Sequence, residues 1–284
     1  MDIIGHQKIL NFLDRTIKKN AVSQAYLFTG SEHTGKFTVA LDFAKKILGR
    51  DQEIDADLFI LKPEIEEKKG TIKTRDIKIE SVRELIHWLS LATSGGGFRV
   101  AIIDNVERMT IESQNALLKS LEDANPQTAV ILVAQSENKI LPTIHSRCQR
   151  IFFGNVSPAE ISQHIPENAK NKKEILNWSL GRPGLMQLIL NNPAELEERI
   201  QSVKELENIL AGNVAERFSY AEKMSKDIVL ALKKLNFWLV AFRYHDLKIK
   251  NSFSAIEKIE TGMALLKETN ANPRLVIENL LLEL

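Results

Sequence analysis

Cysteine, long apolar runs and any excess of one charge are what this sequence lacks. Its 284 residues contain a single cysteine, Cys148. One thiol cannot close a disulfide within the chain or build a multi-cysteine zinc module, and it suits a reducing compartment. No apolar run approaches the ~20 residues that a spanning helix needs. The start, "MDIIGHQKIL", has no basic segment followed by an apolar stretch, so no secretory signal is expected. The net charge is +1. Bulk electrostatics therefore marks no nucleic-acid binder, although a local basic face stays open. Internal repeats and low-complexity tracts are also missing. The expectation is a soluble, cytoplasmic protein. What is present is ordinary globular composition, 44% hydrophobic and 26% charged, enough for two or three domains with real cores.

The first half alternates apolar runs with amphipathic segments, the pattern of an α/β domain. Residues 4–19 have helical spacing. "AYLFTG" (25–30), "ADLFILK" (56–62), "RVAIIDN" (99–105), "TAVILVA" (128–134) and "RIFFG" (150–154) read as strands. Their near-continuous apolar character fits a parallel sheet covered on both faces. Helices are expected through Val39, Phe43 and Ile47, over 79–93 and over 111–121. Residues 64–78 read as a charged, irregular connection, and "SGGGF" (94–98) as a turn. After Gly154 the strands stop. Ser157, Pro158 and Glu160 announce a helix with a capping box. "NNP" at 191–193 reads as a break. Beyond it Ile228, Ala231, Leu232, Leu235, Trp238, Leu239 and Phe242 trace one stripe, and the tail adds Leu275, Val276, Leu280 and Leu281. The expected division is an α/β domain over 1–155, a small helical domain over 156–193 and a helical domain over 194–284.

"GSEHTGKFT" (30–38) carries the chemistry. It fits the phosphate-loop pattern G-x-x-x-x-G-K-[ST] except at the last place, where Phe37 stands. Such a loop closes backbone N–H groups on phosphates at a helix N-terminus, and its lysine reaches the outer phosphates. Gly30, Gly35 and Lys36 are therefore candidate nucleotide-binding residues. The hydroxyl after the lysine ligates Mg²⁺, and Phe37 has none. Thr38 is a further candidate, but one residue on is about 100° round the helix, so it is expected to substitute poorly. Asp104 ends its strand where ligands gather in open α/β sheets, and is the natural partner of the metal. A strand-end capping role for Asp104 stays open. The next residue in an ATPase of this architecture is a glutamate that deprotonates the attacking water. Here it is Asn105, whose amide cannot accept that proton. Glu107 is expected to be a solvated loop residue. The metal ligand and the base are thus both missing.

Residues 99–153 resemble the corresponding block of clamp-loader subunits of the AAA+ family. The strings N-A-L-L-K-S-L-E (115–122) and L-P-T-I-H-S-R-C (141–148) carry the resemblance, supported by "QAYLFTG" and the tail "NPRLVIENLLLEL". It weakens over about 155–260. The resemblance implies an AAA+ α/β domain, a small helical lid and an all-α collar that joins subunits in a ring. Within the family the chain looks most like the stator-type subunit of the bacterial DNA polymerase III loader. Gly184 stands where catalytic subunits carry a lid arginine. Arg182 is two places out of register and takes no such role. Ala134 falls at the place of a polar sensor, with Gln135 and Ser136 as alternatives.

By the same resemblance, Arg147 points into a neighbour's nucleotide site as an arginine finger. Such a group is worth about 10³–10⁵ in rate. A surface ion pair or a helix C-terminal cation is the structural alternative. The implied partners are catalytic loader subunits and a delta subunit in a hetero-pentamer, with the sliding clamp and primer–template DNA met through the complex. No cofactor is required, ATP or ADP binding stays open, and no metal site, zinc included, is expected. The rival function is a catalytically active AAA+ loader ATPase; a nucleotide kinase is disfavoured. Cys148 reads as a small buried residue, and His33 and His145 as surface residues. Asn115 and Lys119 read as a helix face open to DNA, a subunit or solvent. Phe237 lies off the apolar stripe, free to face another subunit.

Overall fold

The computed structural model describes residues 3–50, 55–68, 71–91, 93, 97–122, 126–244 and 252–284. The chain divides into two compact units, one of residues 1–164 and 181–185, the other of residues 165–180 and 186–284. Residues 156–193, read from sequence as one small domain, are shared between them.

The first unit is built on a parallel sheet. Its strands are β1 (Ala25–Thr29), β2 (Leu58–Leu61), β5 (Arg99–Asp104), β6 (Thr128–Ala134) and β7 (Gln149–Phe152), in the order β2-β5-β6-β1-β7. All pairings are parallel, with Leu27 opposite Leu132 and Ile102 opposite Ile131. Alternate residues serve opposite faces. Leu27, Ala101, Ile103, Val130 and Leu132 pack on α3 (Ile79–Ser90) and α4 (Ile111–Glu122) through Val82, Leu85, Leu117 and Leu121. Tyr26, Phe28, Val100, Ile102 and Ile131 pack on α1 (Gln7–Lys18) and α2 (Lys36–Leu48) through Leu13, Val39, Phe43 and Ala44. Burial on both faces is why the strands read as unbroken apolar runs. Each fully buried Leu, Ile or Phe here is worth about 1.5–3 kcal/mol.

The connection expected to be irregular holds an antiparallel pair, β3 (Ile65–Lys68) with β4 (Thr71–Thr74), in register Ile65 to Thr74. Its segments are short and rich in Glu and Lys, so no apolar period announces them. α3 stops at Ser90, and residues 94–96 of the expected turn lie outside the described residues. α5 (Pro142–His145) is a single turn before β7. α6 (Pro158–Gln163) has the expected capping box, with Ser157 Oγ accepting the Glu160 N–H and the Glu160 carboxylate accepting the Ser157 N–H.

The second unit is helical among its described residues: α7 (Lys172–Ser179), most of α8 (Pro183–Asn191), α9 (Pro193–Ala211), α10 (Val214–Met224), α11 (Ile228–Tyr244), α12 (Ser252–Glu268) and α13 (Pro273–Glu283). Ala231, Leu235, Trp238 and Phe242 of the expected stripe are buried with Ile259, Ile277 and Leu281. Trp238 satisfies its buried indole N–H on the Ser202 carbonyl at 3.0 Å. Ile228 and Leu275, expected on the apolar faces, are exposed at the starts of their helices. Phe237 is a correction too. It is buried, with Trp178 edge-on at 6.0 Å and the Arg199 guanidinium over its ring at 4.9 Å. α7 and α9 cover the side of α11 that the single stripe leaves over, so Phe237 has a partner within its own unit.

Candidate functional site

The C-terminal ends of β1, β5 and β6 come together at one edge of the sheet, as the parallel order requires. The turn leaving β1 passes through Gly30 at φ 143°. A Cβ there would lie 2.3 Å from the Phe153 carbonyl oxygen, so the glycine is dictated by contact with the chain beyond β7. Gly35, at φ 92°, precedes α2 with open space around its α-carbon. Its left-handed backbone is the conformation that glycine adopts without strain.

Lys36, the first residue of α2, is only 5% exposed. Its Nζ donates to the carbonyls of Gly30 at 2.7 Å and Ser31 at 2.6 Å. Burial lowers its pKa from the ordinary value, opposed by the charges of Glu107, Asp104 and Glu32 and reinforced by that of Arg182. A cavity of about 280 Å³ lies against it, lined among others by Gly35, Lys36, Phe37, Thr38, Asp104, Asn105, Gln135 and Gly184. The structure thus brings Gly35, Lys36, Thr38 and Asp104 to one space. Gly30 contributes its carbonyl to Lys36. Thr38, one residue past Phe37, also lines the cavity.

Asp104 accepts the Asn105 N–H at 3.0 Å. Burial pushes its carboxyl above the usual range, against the charge of Lys62, the Asn105 hydrogen bond and the charge of Lys36. Asn105 adopts a left-handed backbone, φ 52°, which asparagine tolerates better than most residues. Its Oδ1 accepts from Gln135 Nε2 at 3.0 Å. Of Ala134, Gln135 and Ser136, the residue that lines the cavity is Gln135. Glu107 is not a solvated loop residue. Its Oε1 accepts the Gln135 N–H at 3.2 Å, and its Oε2 is buried with no hydrogen-bond partner. The single 3-10 turn over Val106–Arg108 folds it inward, which spacing along the chain does not reveal.

The fold's usual Mg²⁺ does not fit these residues. Phe37 puts a ring where a hydroxyl oxygen belongs, and Lys62 Nζ sits 3.7 Å from the centroid of that ring. Two carboxylates, Glu32 and Asp104, line the cavity, and the charge of Lys62 already bears on Asp104. Among the described residues no three His, Cys, Asp or Glu side chains gather to hold a metal.

Gly184 also lines the cavity. Its N–H donates to the His33 carbonyl at 2.8 Å, and a Cβ there would lie 3.0 Å from that oxygen. A side chain at this position would press on the His33 backbone, which must give by a few tenths of an ångström. Arg182, two residues earlier, keeps a buried Nε with no hydrogen-bond partner.

Arg147 lies elsewhere. It follows α5, is exposed, and is not among the residues lining the cavity. Its Nη1 donates to the Thr143 carbonyl at 3.0 Å, which orients the guanidinium against the preceding turn. That turn is held by Gln114, which sequence reading missed. Gln114 is 2% exposed, donates to the carbonyls of Met109 (3.2 Å) and Lys139 (2.9 Å), and accepts the Leu141 N–H (2.9 Å). Nothing in the helical pattern separates it from an exposed glutamine. Asn115 and Lys119 on the same helix are exposed. Burial pushes the Cys148 thiol up to about 12, so it is no reactive thiolate. His145 is half-buried, with Glu137 at 3.7 Å.

A family model described as DNA polymerase III, delta subunit, matches residues 5–157, more than half of the chain. The chain belongs to this family of AAA+ clamp-loader proteins. The delta-prime subunit of DNA polymerase III from Pseudomonas aeruginosa is 29% identical over 215 residues, 68% of this chain and 63% of that protein. The tau/gamma subunit from Haemophilus influenzae is 30% identical over 177 residues, 58% of this chain and 25% of that protein. The matches therefore span less than two thirds of these relatives' own lengths. A gamma subunit-related protein of Thermotoga maritima has the same fold, with TM-score 0.55 at 18% identity over 96% of this chain and 97% of that one. An α/β P-loop unit followed by a mostly helical part is thus the AAA+ architecture of this family member.

Proposed function

We propose that this clamp-loader family member is a stator-type, delta-prime-like subunit of the DNA polymerase III loader, one that does not hydrolyse ATP itself. The observation that carries this reading is Asn105. It stands where the base belongs, and its amide oxygen is already engaged by Gln135. An amide there cannot take a proton from water, and Phe37 and Gly184 remove the metal ligand and the lid arginine beside it. Arg147 supports the complementary role. It is exposed, braced on Thr143 and away from its own chain's cavity, as a finger offered to a neighbouring ATP must be. On this reading residues 156–193 act as lid and 194–284 as collar. The subunit assembles with ATPase subunits and a delta subunit in a hetero-pentamer that places the sliding clamp on primed DNA, in the cytoplasm.

The test has two arms. The isolated chain is assayed for ATP turnover; turnover that Lys36→Ala abolishes would overturn the reading. The loader reconstituted with Arg147→Ala is expected to lose about 10³-fold or more of clamp- and DNA-stimulated turnover at the neighbouring site. An assembled loader with unchanged turnover removes the finger.

Two observations favour the rival, an active ATPase subunit: Thr38 lines the cavity, and Glu107 keeps a buried oxygen with no hydrogen-bond partner whose charge acts on Lys36. If that reading holds, Thr38→Ala and Glu107→Gln each cut a measurable turnover of the isolated chain.

A further inference from the structure

The loop keeps its lysine and its cavity, yet the corner reserved for a divalent cation is filled by protein. Phe37 lines the cavity and packs against the core beneath it, and the Lys62 ammonium stands 3.7 Å over the Phe37 ring, at the edge of the lining. A cation this close to an aromatic face is held there by the ring quadrupole. Lys62 comes from the end of β2, the strand next to β5, and so arrives beside Asp104. In a working phosphate loop the metal neutralises this carboxylate and the phosphate oxygens together. Without a cation, Asp104 would repel an incoming phosphate. Lys62 supplies that charge from the chain itself.

Two further cations lie at or near this space, along with the carboxylates of Glu32 and Asp104 that line it and of Glu107, whose charge acts on Lys36. Lys36 lines it, and Arg182 keeps a buried Nε without a hydrogen-bond partner while its charge bears on Lys36. The cavity, about 280 Å³, is at the small end for ligand sites. It suits a di- or triphosphate group better than a whole nucleotide.

We infer that this cavity is a metal-independent polyphosphate site in which the Lys62 ammonium, seated over Phe37, replaces the divalent cation of hydrolysing phosphate loops. The inference rests on the non-hydrolysing reading above and names the ligand class of that site: a polyphosphate chain, free or as part of a nucleotide, taken without Mg²⁺.

The experiment is calorimetric titration of the full chain with pyrophosphate, tripolyphosphate and ATP, each in excess EDTA and in excess Mg²⁺. Affinity is expected to agree within about twofold between the two conditions, well under the 1.4 kcal/mol that a tenfold change represents. Lys62→Met should weaken binding in EDTA by about tenfold or more, and Lys62→Arg should retain it. Lys62 is exposed and outside the core, so both variants are expected to fold. Equal affinity for tripolyphosphate and ATP assigns the site to the phosphate chain alone, tighter ATP assigns it to a nucleotide, and both support the inference. Binding that needs Mg²⁺, binding unchanged in Lys62→Met, or no binding of any of the three overturns it. Each of those results leaves the stator reading standing, because that reading fails only on Lys36-dependent turnover or on an Arg147 that does not matter.

Discussion

Replacing Gln114 by leucine isolates the hydrogen bonds that fasten α4 to the segment leading to Arg147. Leucine nearly conserves volume at a buried position, so little cavity cost intrudes. Three backbone groups lose their partner: the carbonyls of Met109 and Lys139 and the N–H of Leu141. Lys139 is exposed, and its carbonyl is rehydrated at little cost. Met109 is buried and Leu141 half-buried, so those two groups carry the penalty. At about 1–3 kcal/mol for each buried group left unmet, the loss comes to about 3 kcal/mol. For a unit of this size that lowers Tm by roughly 6–12 °C. Asn115→Ala, one residue on but exposed, is the control and should stay within about 0.5 kcal/mol. Urea and thermal unfolding read the global loss. Hydrogen exchange at the Leu141 amide reads the local one, since that N–H has Gln114 Oε1 as its acceptor. Gln114→Leu with wild-type stability and a Leu141 amide still protected would refute the reasoning, because both depend on the same bonds.

Gly184→Arg restores the lid arginine by residue type, yet its Cβ meets the His33 carbonyl oxygen at 3.0 Å; the expected result is a loss of about 1–3 kcal/mol with no ATP turnover gained. Phe237→Ala should cost about 3–5 kcal/mol in unfolding experiments, while Val229→Ala on the same helix, 74% exposed, should be near neutral; a neutral Phe237→Ala would return that ring to an intersubunit role. Burial holds the His6 imidazole below its ordinary value of 6.5, against its hydrogen bond with the Thr34 carbonyl and the charge of Glu160. The unfolded chain then takes up the proton first, so this contribution to stability is complete above pH 6.5 and is lost as pH falls below it. His6→Asn, which tolerates the left-handed backbone at φ 58°, should lose less stability than wild type between neutral and mildly acid pH; parallel curves would contradict this.

Much of this protein could be read from the chain alone. The strands were visible because both faces of the sheet are covered, which leaves them apolar at every position. The phosphate loop and Asp104 were legible from spacing, and the capping box at Ser157 and Glu160 is local by nature. Phe37, Asn105 and Gly184 could be recognised as departures from a pattern, since each is a matter of residue type at a numbered place. What those departures had become was decided only by the tertiary structure. Lys62 over Phe37, Gln135 on Asn105, the Gly184 N–H on His33 and Gln114 on Leu141 each join elements far apart in the sequence. Periodicity reports which side of an element is buried, not what it is buried against. Phe237 shows the same limit, since one stripe predicts one partner face and α11 has two. The β3–β4 pair escaped notice because its stabilisation is backbone pairing, which leaves no apolar signature in a segment of Glu and Lys. Local chemistry named the phosphate loop; the packing of distant segments determined which charges face its cavity.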